Sequence, residues 1–337
     1  MSEFSKLNIK TVKLPPYITK LFTLSSGYTI GIYSKYENKT IEDYIYLYKI
    51  KNRDFIELQK FVYFGYNPII GLELQNNTLL TAGRNTVQFF KIKNDKLYRT
   101  AYLSRDHNGD SLAEIIQAIQ TENGKIILQN ILADIYVLEK NENYIDKESY
   151  NVTDGYITED SQNDLNIEYK FVYKFLDTKR RKINPIGYSY GNIVVFNNFK
   201  VDVSDDKYEK ININSINITK NIFCLNYKFN FKDFILLKLD YKKDGSIYAI
   251  IDKKYYELVK IIKVESDINE MIHIGENKYL FTFSEIKNKI FLADLTNYDF
   301  KIIDSKLFDY KFTREYDEDK LFIIKYEDSI FVLDNTL

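Results

Sequence analysis

Tryptophan is missing from this 337-residue chain, and histidine, methionine, proline and cysteine are nearly so, at two, two, four and one residues. Each shortage excludes something. A single cysteine, Cys224, rules out an internal disulfide and points to a reducing compartment. With four prolines and twelve glycines, the chain is neither a linker nor a low-complexity sequence. No run approaches the roughly 18 apolar residues that a membrane helix needs, so no membrane insertion is expected. The opening MSEFSKLNIKTVKLPP lacks the continuous apolar stretch of a secretory signal. These readings give an intracellular, cytoplasmic protein, with the nucleus left open. A formal net charge of −1 provides no overall basic field for nucleic acid.

Two histidines leave little room for imidazole chemistry. His107 stands in the polar run Arg105-Asp106-His107-Asn108-Gly109-Asp110. Its alternating Asp and Asn are similar to the start of a calcium loop. Ser111, however, occupies the sixth position, where such a loop needs glycine, and Gln117 the twelfth, where it needs an acid. The run reads as a solvated connection. His273 in Met271–Ile274 and Cys224 in Ile222–Leu225 lie in apolar surroundings and read as structural. No Gly-rich phosphate loop is present. No catalytic, cofactor or metal site follows from these residues.

What the chain has in quantity is tyrosine and phenylalanine, 30 and 23 residues, which suit pleated, half-buried strands. They recur in a pattern. Ile45-Tyr46-Leu47-Tyr48 is followed by Val87-Gln88-Phe89-Phe90, Ile135-Tyr136-Val137-Leu138, Ile247-Tyr248-Ala249-Ile250, Ile290-Phe291-Leu292-Ala293 and Ile330-Phe331-Val332-Leu333. Phe199-Lys200-Val201-Asp202-Val203 is a weaker copy, for seven in all. Most lie about 40–47 residues apart, the period of a four-stranded propeller blade. A tight polar turn and an apolar run precede each copy, as in Glu122-Asn123-Gly124 before Lys125–Leu128 and Gly275-Glu276-Asn277 before Tyr279–Phe281. Asn, Asp and Gly tolerate the positive φ that short hairpins require. The repeated strands are apolar on both faces, which calls for packing partners above and below.

The expected fold is therefore all-β, one seven-bladed β-propeller domain over residues 1–337. The last unit lacks an outer strand, and the strand-like segment Phe4–Leu14 has no unit of its own. It is expected to complete the last blade and close the ring. One interval is too long, with the excess at 153–182. There Ile167, Tyr169, Phe171, Tyr173 and Phe175 alternate. The segment is either an inserted loop or hairpin between blades three and four, or the first strand of blade four.

Period, hairpin turn and Ile-Tyr strand together resemble WD-repeat propellers, in a divergent form without Trp-Asp dipeptides or the Gly-His start. The resemblance implies a non-enzymatic scaffold for protein–protein interaction, a subunit of a hetero-complex, with no cofactor. It also implies binding through the loops between blades and those of each blade's second hairpin. On this strand assignment that face carries Tyr63, Tyr66, Arg84, Arg105, His107 and Tyr241, beside the basic cluster Lys179-Arg180-Arg181-Lys182. Exposed Tyr and Arg are frequent interface hot spots. Two alternatives stay open. The basic cluster could hold RNA or a ribonucleoprotein, since guanidinium groups recognise phosphate well. A pair of the many carboxylates could act as the acid and base of a propeller hydrolase.

Overall fold

The computed structural model describes residues 3–14, 18–37, 40–51, 54–63, 70–146, 166–175, 186–196, 199–204, 208–212, 225–239, 246–253, 255, 257–286, 288–308, 321–326 and 329–334. The first strand is β1 (Asn8–Lys13). Six four-stranded sheets follow. They are β2–β5 (Ile18–Thr23, Tyr28–Glu37, Thr40–Lys51, Asp54–Val62), β6–β9 (Ile70–Glu73, Leu79–Gly83, Thr86–Lys93, Lys96–Leu103) and β10–β13 (Ile115–Gln120, Ile126–Asn130, Ile135–Lys140, Tyr169–Phe175). Next come β14–β17 (Ile186–Tyr190, Ile193–Phe196, Phe199–Asp202, Glu209–Asn212), β18–β21 (Leu225–Asn230, Phe234–Leu239, Ser246–Asp252, Glu257–Val264) and β22–β25 (Ile268–Gly275, Lys278–Phe283, Lys289–Asp294, Lys301–Leu307). Last are β26 (Leu321–Tyr326) and β27 (Ser329–Asp334). Within each four-stranded sheet, neighbours in sequence are neighbours in space. This is a blade, and the architecture is an all-β propeller.

Among the described residues the four-stranded blades number six, which corrects the expected seven. All seven motif copies do fall on strands, and six of them form the third strand of a four-stranded blade. The seventh, Ile330–Leu333, lies in β27, whose described sheet has the order β1-β27-β26. Counting motifs counts strands, and this strand has no four-stranded meander around it among the described residues. The N-terminal strand lies at the edge of this sheet. β1 pairs β27 in parallel, from Asn8↔Ser329 to Lys13↔Asp334, whereas the outer strand of a meander runs antiparallel to its neighbour. Among the described residues it is the edge strand of a mixed three-stranded sheet. The run Tyr169–Phe175, left open between an insertion and the start of blade four, forms β13, the fourth strand of the third blade, hydrogen-bonded to β12. Residues 147–165 and 176–182 lie outside the described residues.

The chain divides into two compact units. One comprises residues 22–49 and 56–215, the other 1–21, 50–55 and 216–337. In the first, the two faces of the repeated strand pack in opposite directions. Ile126, Leu128, Tyr136 and Leu138 join the second blade's Leu80, Val87 and Phe89. Ile127, Ile135 and Val137 join Val194 and Val201 of the fourth. Strands β7 and β11 are buried at every residue. In the second unit, Leu236, Tyr248 and Ile250 of the fifth blade meet Met271, Phe281 and Phe291 of the sixth. Burial of these apolar faces is the main favourable term holding one blade on the next.

The turns follow the sequence signals. Asn77 (φ 62°) and Gly124 (φ 83°) take the left-handed conformation in the hairpins that open the second and third blades. Gly71 on β6 has a different role. A Cβ there would stand 2.5 Å from the ring of Phe22 on the adjoining blade, so glycine permits the two sheets to approach.

Candidate functional site

Four of the residues expected to bind partners are among the described residues, Tyr63, Arg84, Arg105 and His107. Arg84 lies exposed in the β7–β8 turn, and Arg105 and His107 lie exposed in the loop from β9 to β10. Arg105 is tied into that loop, donating from Nη1 to the Gly109 carbonyl at 2.9 Å. Tyr63 is buried, at 4% exposure, packed with Leu24, Ile30, Leu79 and Phe90. It is a core residue, and its place among the expected contacts is corrected. Tyr66, Tyr241 and Lys179 to Lys182 lie outside the described residues, as does Cys224.

The acids of the Asp106 loop have partners within the protein. The Asp106 carboxylate is 1% exposed. It accepts the amides of Asn108 (2.9 Å) and Asp110 (3.1 Å) and the Lys174 ammonium (2.9 Å). Burial alone would raise its pKa. The lysine and the two amides outweigh burial and hold the carboxyl below its usual range. Lys174 also lies over the Tyr136 ring, 5.3 Å from its centroid. The loop is thereby locked to the third blade. Among the described residues, no three His, Cys, Asp or Glu side chains cluster as a metal site, and no helix is long and apolar enough to cross a membrane.

A cleft of about 390 Å³ lies elsewhere, in the second unit, at the other class of turns: the first hairpins of the fifth and sixth blades and the β24–β25 connection. The β18–β19 turn brackets Lys232 and Asp233 with Phe231 and Phe234, and the Phe231 amide donates to the Phe234 carbonyl at 3.0 Å. Tyr279 is the second residue of β23, the second strand of the sixth blade, beyond the turn carrying Glu276 (φ 49°). Tyr298 comes from the β24–β25 connection, where Asn297 and Tyr298 both take positive φ, 55° and 60°.

Positive φ is uncommon for a residue as large as tyrosine and costs on the order of 1–2 kcal/mol. Local bonds enforce it here. Asp294 accepts the Thr296 amide at 2.7 Å and its hydroxyl at 2.6 Å, the Leu295 amide donates to Asn277 O at 2.9 Å, and the Tyr298 amide donates to Leu295 O at 2.9 Å. Such outliers collect where a side chain must be aimed.

The result is an aromatic enclosure. Phe231 meets Phe234 at 4.9 Å between ring centroids and Tyr279 at 4.9 Å, and Tyr298 stands at 90° to Phe234 at 5.8 Å. Phe234 and Tyr279 are buried, while Phe231 and Tyr298 are partly open. His273, read from sequence as structural, is exposed at this cleft. Its ring lies 4.9 Å from that of Tyr279, and its Nε2 is 2.7 Å from Glu276 O. Burial, then the Asp233 charge, raises the Tyr279 hydroxyl above its ordinary pKa. Sequence reasoning passed over this set because each ring, taken singly, reads as core. The available signal was that aromatics flank turns, at Phe231-Lys232-Asp233-Phe234 and Asn297-Tyr298, and do not only fill strands.

No family model matches the chain, and no curated protein matches it in sequence. Solved structures do match, at the level of fold. A chain of the mitotic checkpoint complex is 8% identical with a TM-score of 0.51, over 87% of this chain and 81% of that one. The structure of U3-55K is 7% identical with a TM-score of 0.51, over 86% and 81%. A periplasmic gluconolactonase of Pseudomonas aeruginosa is 9% identical with a TM-score of 0.51, over 86% and 85%. The similarity is one of propeller architecture.

Proposed function

We propose that this chain is a non-enzymatic protein-interaction scaffold, a divergent WD-repeat-like propeller that holds a segment of another protein in the aromatic cleft between its fifth and sixth blades. The observation that carries the reading is the cleft itself. Its walls are turn residues fixed by backbone hydrogen bonds, so binding would order little of the scaffold. Large aromatic rings beside polar rim residues are the composition of an interface centre. One structural neighbour is a component of a complex by its own description, which agrees with the reading. The likeness to a gluconolactonase extends to fold and brings no catalytic residues to this chain.

The test is affinity purification from the native cell with a repeated high-salt wash, using the wild type and Phe231→Ala/Tyr298→Ala. We expect a stoichiometric protein that survives salt with the wild type and is lost with the variant. Recovery of the chain alone, or with RNA that salt removes, would overturn the reading. RNA contacts through Lys179 to Lys182 would weaken steeply with salt.

A further inference from the structure

The cleft has a charge as well as a shape. Asp233 and Glu276 stand exposed on its rim beside the exposed Lys232, with Lys253 near Asp233, and Lys278, which pairs with Glu3 at 3.1 Å, near Glu276. Asp233 is close enough for its charge to act on the Tyr279 hydroxyl at the floor. The nearby Lys253 is already engaged, its Nζ donating to the Phe231 carbonyl at 2.8 Å. The His273 ring is held against Glu276 O. Four of its lining residues are aromatic, Phe231, Phe234, Tyr279 and Tyr298, and aromatic faces carry partial negative charge. Carboxylates at the mouth and ring faces within favour a cation carrying apolar methylenes over a neutral or anionic group.

The chain shows the same chemistry elsewhere. In the first unit the Lys60 ammonium lies 3.7 Å from the ring centroid of Tyr44, and 5.8 and 5.7 Å from those of Tyr33 and Tyr46. There a lysine of the chain fills its own aromatic corner. Of the cations named at the cleft in the second unit, Lys232 is exposed at the rim and Lys253 is committed to a carbonyl.

We infer that the cleft formed by Phe231, Phe234, Tyr279 and Tyr298 receives a cationic side chain, arginine or lysine, from a segment of the partner protein, with Asp233 and Glu276 as its counter-charges. This rests on the scaffold reading and narrows it. Phe231 and Tyr298 form the accessible part of the enclosure, Phe234 and Tyr279 its floor. The strained backbone at Asn297 and Tyr298 sets the Tyr298 ring perpendicular to that of Phe234.

The experiment is saturation-transfer NMR on the full chain with four blocked tripeptides, acetyl-Gly-X-Gly-amide, where X is arginine, lysine, citrulline or norleucine. Citrulline keeps the shape of arginine without its charge. We expect saturation of the arginine and lysine side-chain methylenes and little transfer to the neutral pair. Affinity should fall about five- to thirtyfold in Tyr298→Ala, as loss of a partly desolvated cation–π contact implies, and also in Asp233→Asn/Glu276→Gln, whose two exposed positions leave the core untouched. Equal binding of citrulline or norleucine would overturn the charge assignment. So would equal binding to the Asp233→Asn/Glu276→Gln variant. If no peptide binds while a captured partner still depends on Phe231 and Tyr298, the cation fails and the scaffold stands. If the captured partner is indifferent to those residues, the scaffold's use of this cleft fails as well.

Discussion

The hydroxyl of Tyr248, in the third strand of the fifth blade, donates to the carboxylate of Asp267, in the loop that leads to the sixth. The same oxygen accepts the Ile268 amide at 2.8 Å, and Lys238 pairs with Asp267 at 3.2 Å. One buried tyrosine thus fixes the start of the next blade. Tyr248→Phe removes both bonds and strands a buried amide, so it should cost about 1–3 kcal/mol. Chemical denaturation should show a lower midpoint with an unchanged slope. An unchanged midpoint would mean that the loop is held by other contacts.

Asp106 makes stability depend on acid. Its folded carboxyl lies below the usual range despite burial, because Lys174 and two amides bind the charged form. A depressed carboxyl contributes stability that is fully present above the unfolded value of about 3.9 and is lost as pH falls through the folded value. Wild type should therefore exceed Asp106→Asn in stability by a constant margin from neutral pH to about pH 4. The margin should shrink with further acidification. Melting curves of both proteins across that range would check it, and a margin independent of pH would refute it.

Gly71 and Phe22 compete for the same space. Gly71→Ala places a methyl 2.5 Å from the Phe22 ring, and overpacking of this kind costs typically about 1–3 kcal/mol. Phe22→Leu in the same chain should recover part of the loss, because the two residues are in contact and their effects are not additive. A double-mutant cycle by thermal melting measures this. Strict additivity would place the strain elsewhere.

The N-terminal segment is held by more than β1. Phe4 is 6% exposed among Leu280, Ile290, Phe308, Ile323 and Ile330, and its amide donates to Asp304 at 3.1 Å. Phe4→Ala should cost about 3–5 kcal/mol, in the range for a large buried side chain whose site closes incompletely. Hydrogen exchange should rise first in β26 and β27. Uniformly faster exchange would show that the segment stabilises the whole unit and not one sheet.

How much of this was legible in the sequence differs by feature. Third strands were, because a residue such as Tyr136 between Ile135 and Val137 is apolar on both faces, and only a strand packed on both sides demands that. Hairpins were, because Asn77 and Gly124 stand where positive φ is needed. The blade count was not, since Ile330–Leu333 reads the same whether its sheet has three strands or four. The place of Tyr169–Phe175 was hidden by the long connection between β12 and β13, which broke the period. Tyr63 misled because a tyrosine just past a strand end can turn either way. The cleft was invisible because Phe231, Tyr279 and Tyr298 are brought together by the stacking of two sheets, and stacking leaves no trace in local spacing.

The parallel pairing of β1 with β27 also bears on how the protein is made. Asn8 leaves the ribosome more than 300 residues before its partner Ser329. At roughly 5–20 residues per second, β1 waits about a quarter of a minute to a minute for the strand it belongs to. Throughout that interval its backbone donors and acceptors face water or a surrogate. The four-stranded blades, by contrast, can close on themselves as each emerges. Translation therefore completes this sheet after the six four-stranded blades, although one of its strands precedes all of them.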